Sequence, residues 1–312
     1  MAWQCGPLLR VDVSPWPTLY NTGPSAIGIG TFTPWPFSSN LTSADYGSFP
    51  TNGAGYHVIQ GYDMTNSGTL FLDGSDHWLI RGCLLRGAPS GGGGYGIFFG
   101  QTSTVSNCIL EYCNISDGLP FATIPAQTAG VNIGINASGA HILEIRFCQI
   151  YHTATAINEP NDNVYIHDCF FANPRDDGGG TDHTDGIITH GSTNLTINHN
   201  WLDNRNSQTD CIILTGPGAP GNGHQNNVTI TNNYMALNGI GFCLYGGSAS
   251  GGGGAIVNTG TFTGNRFSNK YGQPFSSYVT NEPSVANGDV NITWNDNRET
   301  NAAGTTNGAL VG

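Results

Sequence analysis

Asp182, His183, Asp185 and His190 fall within nine consecutive residues of the stretch TDHTDGIITHGS, and Asp210 opens a similar phrase, TDCIILTG, 25 residues after Asp185. Two carboxyl groups beside an imidazole are the group set for general acid–base work, because like charges held close together force one carboxyl to keep its proton. The same oxygens are the raw material of a Ca²⁺ site, and RDDGGGTDHTD (175–185) offers enough of them. Aspartate before Gly or Cys at a strand start is also ordinary turn chemistry, since its side chain bonds nearby backbone N–H groups. All three readings stay open at this point. No histidine pair has a zinc spacing, and no metal ligand set is expected.

Whether these groups meet depends on the elements that carry them, and an internal repeat supplies those elements. The phrase recurs as WLIRGCLL, STVSNCIL, LEIRFCQI, VYIHDCFF, LTINHNWL, VTITNNYM, TFTGNRF and VNITWND. Its anchors read as Cys83, Cys108, Cys148, Cys169, Asn200, Asn233, Asn265 and Asn295, separated by 25, 40, 21, 31, 33, 32 and 30 residues. Tyr62, in HVIQGYDM, lies another 21 residues upstream of Cys83.

One rung per coil of this length predicts an all-β chain wound as a right-handed parallel β-helix, a single-chain solenoid. Each coil is too small to bury its own apolar face, so equivalent positions stack about 4.8 Å apart and bury one another. Ile80, Val105, Ile145, Ile166, Ile197, Ile230, Phe262 and Ile292 are the expected inward column. The anchors form an interior ladder, first of thiols and then of amides that bond the amide above and below. The cysteines are accordingly expected as buried free thiols. A second strand per coil is visible in YGIFFGQ, GVNIGIN, DGIITHG, DCIILTG and IGFCLYGG. In this register Thr184 aligns with Thr209 and Asp185 with Asp210, which puts two carboxylates on neighbouring rungs.

Three segments follow: a Pro/Trp-rich cap or docking segment over 1–50, the β-helix over 51–300, and a tail over 301–312. Open strand edges at the end of a coil stack call for some such cover. The 46 glycines and 10% charged residues suit many short strands and tight turns, while 14 Phe, 12 Tyr and 6 Trp supply a core that disordered chains lack. Nine basic against 21 acidic residues give a formal charge of −12, which repels phosphate backbones, so no nucleic acid partner is expected. No apolar run reaches the length of a membrane span, and MAWQCGPLLRVDVSPW lacks the basic start and apolar run of a secretory signal. Neither membrane insertion nor an encoded leader is expected. Sugar rings stack on aromatic faces, which makes Trp201, Tyr234 and Tyr245, with the neighbouring Arg205, the expected binding side chains; Tyr271 and Tyr278 lie in the same loops.

HTDG (183–186) and TDC (209–211) resemble motifs of the polygalacturonase family of β-helix glycoside hydrolases. That resemblance implies carboxylate roles for Asp185 and Asp210, with Asp182 and His183 in support. Thr209 stands where that family has the first Asp of a pair, and 239–247 holds no histidine where the family has one. Over most of its length, from HTDGIITHGSTNLTINHN to GDVNITWNDN, the chain is similar to the Gly- and Asn-rich β-helical tail spikes and minor tail proteins of bacteriophages. The resemblance implies a virion component, extracellular when it works and homotrimeric, that contacts other phage tail proteins and binds host envelope polysaccharide. It also implies that some members cleave that glycan, as hydrolases or, less in keeping with so few Lys and Arg, as lyases. A secreted bacterial carbohydrate-active β-helix is the remaining alternative. No cofactor is expected beyond the Ca²⁺ that the acidic stretch has ligands for.

Overall fold

A computed structural model describes residues 16–37, 40–65, 68–86, 94–123, 131–175, 184–205, 210–214, 224–238, 241–245, 257–272, 279–280 and 291–311. Among these residues the strands form three sheets, and every pairing between strands is parallel. The first runs from His57–Gln60 to Ile292–Asn295, the second from Thr33–Pro34 to Arg298–Thr300, and the third from Asn40–Leu41 to Val279–Thr280. The chain visits first, second and third sheet in turn and then climbs one rung. This is the expected right-handed parallel β-helix, the hand following from the chirality of parallel crossovers. Among the described residues helix is confined to two short 3₁₀ turns, Pro24–Ile27 and Ser43–Ser48, and none is long and apolar enough to cross a membrane.

The inward column of the first sheet is Ile59, Ile80, Leu110, Ile145, Ile166, Ile197, Ile230, Phe262 and Trp294, each paired with the next. Two members differ from expectation. Val105 pairs with Ala140 and Ile292 with Gly260, both at strand starts, so Leu110 and Trp294 take their places. The anchors shift with them. Cys113 and Asn297, at most 1% exposed, hold the ladder positions expected of Cys108 and Asn295.

The reason is a corner that each coil turns immediately before its anchor. Gly82, Tyr112, Phe147, Asp168, His199, Asn232, Gly264 and Asp296 all have φ between 51° and 71°. Only the residue after this left-handed step points back into the core. SNCILEYC and WNDN each contain two residues of the anchor type, and the corner selects the second. The ladder itself is as expected. Cys169 N–H donates to Asn200 Oδ1 at 2.9 Å, and Asn200, Asn233 and Asn265 pass the same bond on to Asn297 at 3.0–3.1 Å. Upstream, Cys83, Cys113, Cys148 and Cys169 are buried free thiols, and burial pushes the first three well above the ordinary thiol range.

The described part of the N-terminal segment lies lengthwise along the outer face of the second sheet. Trp16 Nε1 donates to Gly304 O at 3.0 Å, and Gln149 Nε2 donates to Leu19 O and Thr22 O, both at 2.8 Å. Gly23 N–H donates to Phe147 O. A side chain at Gly23 would collide with the amide of Gln149, 2.5 Å from the position of its Cβ. By Thr33–Pro34 the chain has joined the second sheet beside Tyr62–Asp63.

Candidate functional site

Asp185 and Asp210 stand two residues before Ile187 and Ile212, which begin third-sheet strands and pair with each other. The two aspartates therefore stack on successive coils. Both are buried, 4% and 7% exposed. Asp210 N–H donates to Asp185 Oδ1 at 3.3 Å, and Asp210 Oδ1 accepts from Phe242 N–H on the coil beyond. Gly186 follows because the Cys211 carbonyl passes 2.2 Å from where a Cβ would stand.

Burial pushes the Asp210 carboxyl up to about 7, opposed by the Phe242 N–H and reinforced by the charge of Asp185. One member of the pair thus keeps its proton into the neutral range, as acid catalysis requires.

Asp185 also lines a cleft of about 290 Å³, counting its open mouth, at the corner between the second and third sheets. Thr153, Thr184, Asp203 and Asn204 share the polar lining, over an apolar floor that includes Phe171, Pro174 and Leu202. Asn204 Nδ2 donates to Thr184 O, which ties the two sheets together across the corner. Asp203 is a cleft carboxylate that the sequence reading did not single out. It pairs with Lys270 Nζ and accepts from Tyr271 OH at 2.6 Å. Burial, then the charge of Asp203, raises the Tyr271 hydroxyl. Further up the same corner, buried His152 Nδ1 meets Asp117 Oδ1 at 2.7 Å, with its Nε2 facing Phe121 O. Thr153, the residue after His152, lines the cleft.

The other expected site residues are dispersed. Asp182 and His183 lie outside the described residues, as do 176–181 of the oxygen-rich run considered for Ca²⁺. His190 stands 3.8 Å from Glu159. Trp201 and Tyr234 stack face to face on the second sheet, centroids 3.6 Å apart. Tyr234 is fully buried under Trp16, and its hydroxyl donates to Ala302 O at 2.9 Å. Arg205 follows the strand Trp201–Asn204, and its carbonyl accepts from Asn238 Nδ2. Half-buried Tyr245 closes a third-sheet strand, its ring 6.2 Å from that of Phe242.

No protein-family model matches the sequence, and no curated protein matches it. Among solved structures the chain is similar to an alginate lyase from Paenibacillus sp. strain FPU-7, at 16% identity and a TM-score of 0.48, over 90% of this chain and 88% of that one. It is also similar to a point mutant of the tailspike protein of E. coli bacteriophage HK620 in complex with a pentasaccharide (13%, 0.38), over 92% of this chain and 53% of that one. A third is the tailspike protein of an Acinetobacter baumannii bacteriophage, a capsular polysaccharide depolymerase (11%, 0.37), over 90% and 63%. The chain spans about half the length of the first tailspike. The likeness is one of fold.

Proposed function

We propose that this chain binds a cell-surface polysaccharide at the corner cleft and hydrolyses it, with Asp210 as proton donor and Asp185 as the partner carboxylate. The observation that carries the reading is the Asp210 carboxyl, raised to about 7 while stacked one coil from Asp185. Neighbouring rungs are about 4.8 Å apart, close to the roughly 5–5.5 Å between carboxyls of glycosidases that retain configuration. Asp203 lines the cleft together with Asp185 and is held by Lys270 and Tyr271.

In this reading the protein is a tail-spike-like virion component that works outside the host cell as a homotrimer beside other tail proteins. The Pro/Trp-rich segment over 1–50 serves as cap or attachment. Light scattering tests the trimer, at three times the 32.8 kDa of one chain.

Incubation with purified envelope polysaccharide should release new reducing ends, and Asp185→Asn or Asp210→Asn should abolish their release. Unchanged release from both variants overturns the assignment. A second reading, binding without cleavage, is favoured by one observation: each aspartate satisfies a backbone N–H of the next coil, a structural task in itself. Saturable binding without reducing ends would select it.

A further inference from the structure

We propose that the outer face of the first sheet, over its last four coils, is a binding track for a neutral, unbranched polysaccharide lying along the helix axis with one sugar over each coil. The proposal rests on the glycan reading above and adds a second place of contact, on a different sheet from the carboxyl pair.

Thr196 pairs with Thr229, Thr229 with Thr261 and Thr261 with Thr293. Two residues along each strand, Asn198, Thr231, Thr263 and Asn295 pair in the same way. In-register parallel strands repeat these groups about every 4.8 Å, in two columns roughly 6.6 Å apart. All eight side chains are partly or fully exposed. Among the described residues no side-chain hydrogen bond engages the hydroxyls of Thr196, Thr229, Thr261 or Thr293. The second column is partly tied within itself, Thr231 Oγ1 donating to Asn198 Oδ1 at 2.9 Å.

The same columns carry different chemistry in the earlier coils. There they hold Ile109, Glu144 and Tyr165, and Glu111, Arg146 and His167. Those charges are spent on one another: Arg146 meets Glu111 at 2.6 Å, and His167 meets Glu144 at 3.0 Å. Behind the face the buried aliphatic column runs on from Ile166 to Ile197 and Ile230. Core packing therefore does not call for the change from charge to hydroxyl and amide.

The occupant follows from charge and repeat. The chain carries −12, yet these eight positions carry no charge, which disfavours polyanions and gives a polycation nothing to pair with. Each hydroxyl both donates and accepts, and its methyl suits the C–H face of a sugar ring. An equatorially linked pyranose advances by roughly the rise of one coil, so four rungs stay in phase with four sugars.

The test is calorimetric titration with β-1,4-linked hexasaccharides of glucose and of N-acetylglucosamine, with a β-1,4-linked mannuronate hexamer as the charged counterpart. Thr229→Val/Thr261→Val removes two hydroxyls while keeping shape and strand preference. A neutral hexamer is expected to bind wild type and Asp210→Asn alike, and to bind the double variant at least tenfold more weakly with unchanged melting. Equal affinity in the double variant, no binding of either neutral hexamer, or preference for mannuronate overturns the track. So does a face that serves ice or a second copy instead, seen as inhibition of ice growth or as dimerisation that the double variant loses without any sugar binding. Binding lost in Asp210→Asn alone overturns the track and leaves the cleft reading standing. Binding lost in the double variant, with no cleavage by wild type, supports the track and removes the hydrolase.

Discussion

Asp210 gives its backbone N–H to the carboxylate of Asp185, 3.3 Å away on the preceding coil, and its own carboxyl is raised to about 7. A carboxyl raised above its ordinary 3.8 favours the fold while protonated, so its contribution is complete below about 3.8 and is lost as pH rises through about 7. Asp210→Asn keeps an acceptor for Phe242 N–H and carries no charge. The variant should melt like wild type near pH 4 and be more stable above pH 8, by an amount on the order of 2–4 kcal/mol. Thermal unfolding of both proteins at pH 4, 6 and 8 measures this, and parallel curves would exclude Asp210 as the titrating group. Stabilisation together with lost cleavage is the usual signature of a site held for function.

The amide ladder makes a different prediction. Asn233 is fully buried; it accepts from Asn200 N–H at 3.0 Å and donates to Ile197 O at 2.9 Å. Asn233→Ala strands both groups inside the core and should cost roughly 3 kcal/mol or more. Asn233→Cys should cost about half as much, because the upstream thiols already do this work: Cys113 Sγ accepts from Cys83 N–H at 3.5 Å, and Cys169 Sγ donates to Ile145 O at 3.7 Å. Urea midpoints rank the two variants. Equal losses would mean that sulfur does not substitute for the amide.

The same ladder shows what was legible in the sequence. Its period disclosed the coils, and the Asp-Gly and Asp-Cys steps before a shared strand put Asp185 and Asp210 in register. The exact rung was harder to read, because Cys108 and Cys113 lie five residues apart and each follows a left-handed residue, Asn107 and Tyr112, of which only Tyr112 stands at the corner into the second sheet. Asp203 escaped notice because its partners Lys270 and Tyr271 are 67 and 68 residues away. Nothing periodic announces the bond from Trp16 to Gly304, 288 residues apart.

On the corner between the first and second sheets, Asp168 bridges two histidines, with His167 Nδ1 at 2.6 Å and His199 Nδ1 at 2.5 Å. Burial alone would raise Asp168, but the bonds and charges of His167 and His199 outweigh it and hold the carboxyl at about 2. His167 is raised, because its bonds to Asp168 and Glu144 outweigh its own burial. The aspartate's contribution is present above about 3.8 and fades as pH falls toward 2, while that of His167 is present below about 6.5 and fades as pH rises past its raised value. Asp168→Asn tolerates the same left-handed backbone and should cost about 1–2 kcal/mol at pH 5.5 and less at pH 8.5. Melts at the two pH values decide it, and a cost that does not change with pH would point to packing instead.

Trp16 pins the N-terminal segment that lies as a strap along the second sheet. Its ring stacks on His199 at 5.5 Å and leans on Tyr234, while its Nε1 holds the C-terminal tail through Gly304 O. Two rings and a backbone carbonyl from three separate stretches of chain thus converge on one indole that is 8% exposed. Trp16→Ala removes the stack and the bond together, and should cost about 3–5 kcal/mol where the strap must stay docked. The inward column of the β-helix touches none of these groups, so the loss should be local. The N-terminal strap and residues 301–311 should become open to protease, and Tyr234 accessible to solvent, while the far-UV spectrum of the coils is retained. Limited proteolysis followed by mass spectrometry reads this directly. A variant that loses its β signal in step with strap cleavage would show that the strap is part of the cooperative unit and not laid over a finished coil stack.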